Sequence, residues 1–106
     1  MKVIIIDDIE IVIGQNASEN WELLELDEMY IWLHLNSFPS CHVVICHDNP
    51  EDYIIQYAAE LCKNNTKYKN LKNLKICYTP IKNLKKATDI GSVIFKSKRK
   101  VNTILI

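Results

Sequence analysis

Apolar residues in this sequence come in short runs rich in β-branched side chains, and none is long enough to be more than a strand. Val3-Ile4-Ile5-Ile6 and Val43-Val44-Ile45-Cys46 are typical, far short of the ~18 residues that a membrane-spanning helix requires. Turn-forming residues separate the runs, so the chain reads as a sheet with helices laid on it. The first two runs illustrate this. Lys2–Ile6 is followed by Asp7-Asp8, and Ile9, Ile11 and Ile13 then alternate up to Gly14, which predicts two strands joined by a turn.

Two helix starts interrupt the strands. Asn16 followed three residues later by Glu19 forms a capping-box pattern ahead of Trp21 and Leu24, predicting a helix over Ala17–Leu26. Asn49-Pro50-Glu51-Asp52 offers a cap, a proline at the first helical position and two acids at the positive end of the dipole. Ile54, Ala58, Leu61 and Cys62 supply the apolar face, so the second helix is expected over Pro50–Asn64.

Tyr30–Leu35 and His42–His47 are the next strands, joined across Pro39, and Leu74–Tyr78 is another, closed by Pro80. A basic linker runs to Asn73, and Lys82–Asp89 reads as a lysine-rich loop. Ser92–Phe95 and Val101–Leu105 are the last strands, with Lys96-Ser97-Lys98-Arg99-Lys100 expected as the tip of a hairpin between them. The fold class that follows is α+β: a mixed, mainly antiparallel sheet packed with two helices. At 106 residues, residues 1–106 form a single domain, because two separate cores would each be too small to hold together.

The N-terminus is too short in apolar residues and too acidic for a signal peptide, so a cytoplasmic address and no membrane partner are expected. Cys41, Cys46, Cys62 and Cys77 contain no C-x-x-C pair and are read as reduced thiols. The formal net charge is zero, but its two halves are opposed. Residues 1–60 hold one lysine against twelve acids, a balance of −11; residues 61–106 hold twelve basic residues against Asp89, a balance of +11. Such asymmetry suits a polyanion or a complementary protein surface, and it also fits charges that interleave across one fold.

The segment richest in chemistry is Tyr30-Ile-Trp-Leu-His-Leu-Asn-Ser-Phe-Pro-Ser-Cys-His42. On a strand, Trp32 and His34 share one face while Ile31, Leu33 and Leu35 share the other. A hairpin across Pro39 would bring His42 beside His34, with Cys41 close by. A closed zinc site wants four ligands, and no further pair is in view. A Cys–His nucleophile would need an orienting group and an oxyanion site, and neither is legible. The favoured reading is structural, the histidines bonding loop backbone beneath Trp32. Neither metal, cofactor nor catalytic activity is expected.

Trp32-Leu-His34 followed by Phe38-Pro39-Ser-Cys-His42-Val-Val-Ile resembles the signature Asp-x-Trp-x-His…Pro-Gly-Ser-His-Val-x-Ile of the NFACT RNA-binding domain. Gly14…Asn20-x-x-x-Leu24 upstream and Tyr78-Thr79, Lys82, Lys85-Lys86, Gly91 and Val93 downstream are similar to further elements of that family. Tyr30, Ser40 and Cys41 stand where the family usually has Asp, Gly and Ser. The resemblance spans nearly the whole chain, which reads as the domain standing alone. It implies an RNA-binding module, non-enzymatic, associated with ribosomes, translation factors and translation quality control, with Trp32, His34, Pro39, His42 and Gly91 as motif residues.

The basic half gives an independent physical reason for the same function. Lys82, Lys85, Lys86, Lys96, Lys98, Arg99 and Lys100 are the expected nucleic-acid contacts, because mobile cations supply phosphate affinity with little sequence preference. Tyr68, Tyr78, Trp32 and Phe38 are candidate stacking platforms, with core packing the alternative for Trp32. The competing reading is a protein-interaction module using opposed acidic and basic surfaces.

Overall fold

The computed structural model describes residues 1–106. Strands β1 (Lys2–Ile6) and β2 (Ile9–Ile13) lead into helix α1 (Ala17–Glu22), then β3 (Ile31–Leu35), β4 (Val43–Ile45) and helix α2 (Asp52–Asn64). Strands β5 (Lys75–Pro80), β6 (Leu84–Lys86), β7 (Val93–Phe95) and β8 (Asn102–Leu105) complete the chain. Six strands form one sheet in the order β1-β2-β4-β3-β5-β8, and β6 and β7 form a separate two-stranded ribbon. Every pairing is antiparallel. The expected α+β class holds, with both helices and a predominantly antiparallel sheet.

Local chemistry accounts for the elements. Asp7 and Asp8 both adopt left-handed φ, 50° and 64°, as a two-residue turn needs when its twist must match that of the strands it joins. Asn16 Oδ1 accepts the Glu19 N–H at 2.9 Å, and the Glu19 carboxylate accepts the Gln15 N–H at 3.0 Å. The capping box therefore closes one residue further back than its usual form.

Two helix boundaries differ from expectation. Helix α1 gives way after Glu22 to a 3-10 turn over Leu23–Glu25 that carries Leu23 into the core. Asp27 Oδ1 then accepts the Met29 N–H at 2.9 Å, a local bond that competes with continuing the helix. The cap of α2 is Glu51, not Asn49. Both Ile54 and Ile55 donate to the Glu51 carbonyl, whereas Asn49 N–H bonds His47 Nδ1.

Period-two alternation sorts side chains to the two faces of the sheet. Ile11, Ile13, Leu33, Leu35, Val43, Ile45 and Ile76 meet Ile54, Ala58, Ala59 and Cys62 of α2. Val12, Trp32, Val44 and Cys77 point the other way, beneath Leu23, Ile81 and Leu84. That second layer is made by α1, its 3-10 turn and the β6–β7 ribbon. Three contacts dock the ribbon on α1. Trp21 Nε1 donates to the Ser92 carbonyl at 2.9 Å, and Lys86 Nζ reaches Glu25 at 3.0 Å while lying 5.3 Å above the Trp21 ring. Gly91, at φ 88°, supplies the third: a Cβ there would stand 3.0 Å from Ala17 Cα, so only glycine lets the ribbon sit this close.

The expected hairpin of Ser92–Phe95 with Val101–Leu105 does not form. Strand β7 pairs with β6, and β8 returns to the sheet edge beside β5. The stretch expected as a loop over Lys82–Asp89 contains a 3-10 turn (Ile81–Asn83) and β6. Lys96–Lys100 is consequently a crossing between layers, with a 3-10 turn at Lys98–Lys100, and not a hairpin tip.

Candidate nucleic-acid interface

Between the sheet face that carries Trp32 and the loops at its end lies an open cleft of about 1070 Å³. All five motif residues, Trp32, His34, Pro39, His42 and Gly91, line it. Its wall is an aromatic cluster. His34 stacks on Trp32 with ring planes 3° apart and centroids at 5.5 Å. His42 and Phe95 meet the same indole edge-on at 5.2 and 5.9 Å, and His42 lies 5.0 Å from His34. Trp32 is 1% exposed and His42 3%, so Trp32 is a core residue rather than a free stacking platform.

Backbone positions this cluster. The β3–β4 register pairs Leu33 with Val43, and one step further along it His34 faces His42 across the Pro39 connection. Ser40 Oγ accepts the Leu35 N–H at 3.0 Å, so the residue in the family's glycine position closes the end of β3 with its hydroxyl. Asn20 Oδ1 accepts the His42 N–H at 3.2 Å, and Gly14 N–H donates to the His42 carbonyl at 3.0 Å. A Cβ on Gly14 would stand 2.3 Å from Asn20 Oδ1. Gly14 and Asn20 thus act as one latch that fixes where His42 leads into its strand.

The expectation that both histidines bond loop backbone needs correction for His42. Its Nδ1 has no hydrogen-bond partner, nor has Trp32 Nε1, and the His42 ring is held by contact with Trp32 and His34. His34 keeps the expected bonds to loop backbone, at Leu35 and Ser40. Burial, reinforced by the neighbouring His34, lowers the His42 pKa to about 3, and burial lowers that of His34. Both imidazoles are neutral at pH 7, leaving Lys67 as the only formal charge lining the cleft. Cys41 also lines it. A hydrogen bond with Cys62 lowers the Cys41 thiol's pKa and raises that of Cys62, and no cluster of three or more metal-ligating side chains occurs.

A second, smaller groove of about 610 Å³ is lined by Pro80, Lys82, Asn83, Lys96, Ser97, Lys100 and Asn102. Asn83 builds it. This side chain, 4% exposed, donates from Nδ2 to Thr79 Oγ1 at 3.0 Å and to the Ser97 carbonyl at 2.9 Å, and accepts the Ser97 N–H at 2.9 Å. Buried Thr79 in turn donates to the Lys100 carbonyl at 2.9 Å. The crossing over Lys96–Lys100 is therefore pinned to β5 by hydrogen bonds from the buried Asn83 and Thr79 side chains, while its cationic ends remain in solvent.

Of the seven expected cations, Lys82, Lys96 and Lys100 share this groove, and Lys98 and Arg99 project from the same 3-10 turn. Lys85 and Lys86 are exposed on β6. Lys86 is paired with Glu25, and the other six have no carboxylate within salt-bridge distance. Acidic and basic halves interleave at that one point. Asn83 escapes a reading of the sequence because a lone asparagine in a lysine-rich stretch looks solvent-facing; its only sequence cue is its place between the apolar Ile81 and Leu84.

The sequence profile described as "NFACT protein RNA binding domain" matches residues 3–97. Coiled-coil domain-containing protein 25 of Danio rerio is 30% identical, the match covering 91% of this chain and 51% of that protein. The Rqc2 homolog RqcH of Bacillus subtilis (strain 168) is 31% identical over 86% of this chain and 17% of its own length. The chain thus spans about half the length of the first relative and far less of the second. Among solved structures, the C-terminal part of the fibronectin/fibrinogen-binding protein from Streptococcus suis superposes with a TM-score of 0.86 at 25% identity, over 98% of this chain and 43% of that one.

Proposed function

The chain belongs to the NFACT RNA-binding domain family, and on that footing we propose that it binds RNA through the groove of Lys82, Lys96 and Lys100, with Lys98, Arg99 and Lys85 extending the contact. The observation that carries this reading is the buried Asn83–Thr79 network, which fixes the backbone that carries a cluster of unpaired cations. Arranged cations on a pinned backbone lose less freedom on binding than cations on a loose loop. We propose binding without catalysis, in the cytoplasm, and a role alongside the ribosome in translation quality control. Support for the last comes from the similarity to a protein named an Rqc2 homolog.

The test is a salt titration with single-stranded RNA, transfer RNA and duplex DNA. The three groove lysines alone contribute about −2 to the log–log slope for single strands, at ~0.7 per phosphate, and each phosphate met by Lys98, Arg99 or Lys85 steepens it by a further ~0.7. Replacing Lys98, Arg99 and Lys100 together with glutamine is expected to weaken RNA of every sequence alike and flatten the slope, with an unchanged melting temperature. Absence of salt-sensitive binding to any nucleic acid at low ionic strength would remove this reading and leave the protein-interaction module in its place.

A further inference from the structure

The basic groove explains affinity for phosphate but leaves the motif cleft without a task. We infer that the cleft is a nucleobase site, receiving one unpaired base of the RNA whose backbone lies on the lysines; this rests on the proposed RNA-binding function. Three features of the cleft select that ligand class. It carries no formal charge apart from Lys67, and its two imidazoles are neutral, so it is poorly suited to phosphate. With no cluster of metal-ligating side chains, it is equally poorly suited to a cation. What it offers is a flat stack, Trp32 against His34, surrounded by amide side chains such as Asn16, Asn20 and Asn36. A base is uncharged and planar and carries donors and acceptors on its edge, and aromatic side chains including histidine are the usual platforms for it.

Two atoms give the inference its direction. Trp32 Nε1 and His42 Nδ1 are buried without partners. Leaving a buried polar atom unpaired is costly, and native interiors rarely do so. Both rings touch His34, which is the partly exposed ring of the three. A base whose edge enters where His34 now sits, the imidazole turning aside to stack on it, reaches the indole N–H and the His42 nitrogen and completes both. Phe38, 39% exposed and packed 4.6 Å from Tyr68, also lines the cleft and offers a support for the next base. Phe95 and Lys96 are adjacent in sequence and line the cleft and the groove respectively, so one strand can occupy both.

The experiment compares a hexauridylate with an abasic ribose-phosphate chain of equal length, at fixed salt. The wild type is expected to hold the uridylate at least about fivefold more tightly, the lower end of the effect of one stacked base. His34→Ala should abolish that difference and leave the affinity for the abasic chain unchanged. A second measurement requires no variant: free uridine and adenosine, which carry no phosphate, are titrated against the wild type while the indole N–H resonance of Trp32 is followed. Saturable movement of that resonance is expected. Equal affinity for both chains, with a normal salt slope and a motionless indole signal, overturns the base site and leaves the phosphate reading standing. If neither chain binds but the nucleosides still move the indole, the cleft takes free nucleosides and not a base of RNA, and both the phosphate reading and the base site fall. Silence in every arm removes both.

Discussion

The cleft and the groove are neighbours built on opposite physical plans. In the cleft the motif side chains that matter most, Trp32 and His42, are themselves core: they are 1% and 3% exposed, neutral, and held by packing. In the groove the basic side chains are exposed and charged, and the structural burden falls on Asn83 and Thr79 behind them. The first plan couples recognition to stability, since any change in the wall is a change in the core. The second separates them, because an exposed lysine can be altered without disturbing the hydrogen bonds that aim it. A motif composed of Trp and His and a surface composed of Lys thus carry different penalties for change within one small domain.

The strongest way to break this comparison is at Trp32. Trp32→Ala should destabilise the fold by about 3–5 kcal/mol, the range for truncating a fully buried large aromatic, as measured by urea denaturation. Replacing exposed Lys98 with Ala should change stability by no more than about 0.5 kcal/mol. Comparable losses at the two positions would mean that the groove is as much a part of the core as the cleft.

Acid comes next. The folded His42 has a pKa of about 3, below its ordinary value of 6.5, so protons bind the unfolded chain more tightly than the folded one. The stability this contributes is complete above about pH 6.5 and is lost progressively as pH falls towards 3. By the usual ~1.4 kcal/mol per unit it amounts to a few kcal/mol. His34, shifted in the same direction, adds to it. Chemical denaturation at pH 7 and at pH 4.5 should show the fall, and His42→Gln should shrink it. A flat profile over that range would show that the cleft imidazoles are not held neutral by burial.

A smaller effect is expected at Asn83. Asn83→Ala leaves the N–H and carbonyl of Ser97 without their partner, which should lower stability by about 1–3 kcal/mol. It should also weaken RNA binding although the charge is unchanged, because Lys96 and Lys100 are then no longer held in register. An unchanged RNA affinity in a destabilised protein would show that pinning the crossing contributes nothing to binding.

Local signals made the cleft wall legible in the sequence, and non-local ones hid the groove. Period two placed Trp32 with His34, and the Pro39 connection placed His42 opposite. Asp7-Asp8 marked the first hairpin, and the capping box marked α1. The return of β8 to β5 left no such trace, since strands of four residues carry little register information, and the nearest partner in sequence for Val101–Leu105 is β7. The bonds that decide otherwise join Asn83 to Ser97 and Thr79 to Lys100, and none follows from propensity or pattern. Gly91 was legible as a motif residue, but its reason, the approach to Ala17 of α1, exists only in the folded chain.

The smallest effect separates two lysines that the sequence could not tell apart. Lys86 and Lys98 both lie in the basic half, yet Lys86 is tied to Glu25 at 3.0 Å and rests on the Trp21 ring, while Lys98 has neither kind of partner. An exposed ion pair contributes about 0.2–1 kcal/mol, so Lys86→Gln should lower stability by roughly that amount. Because Glu25 already compensates its charge, the same change should leave the salt dependence of RNA binding almost unaltered. Lys98→Gln should do the reverse, flattening the log–log slope by about 0.7 for the single phosphate it no longer neutralises, with no measurable change in melting temperature. Paired salt titrations and thermal melts of the two variants read both quantities. If Lys86→Gln flattens the slope as much as Lys98→Gln does, then RNA displaces Glu25 from Lys86, and the interface reaches across β6 to the Trp21 face of α1.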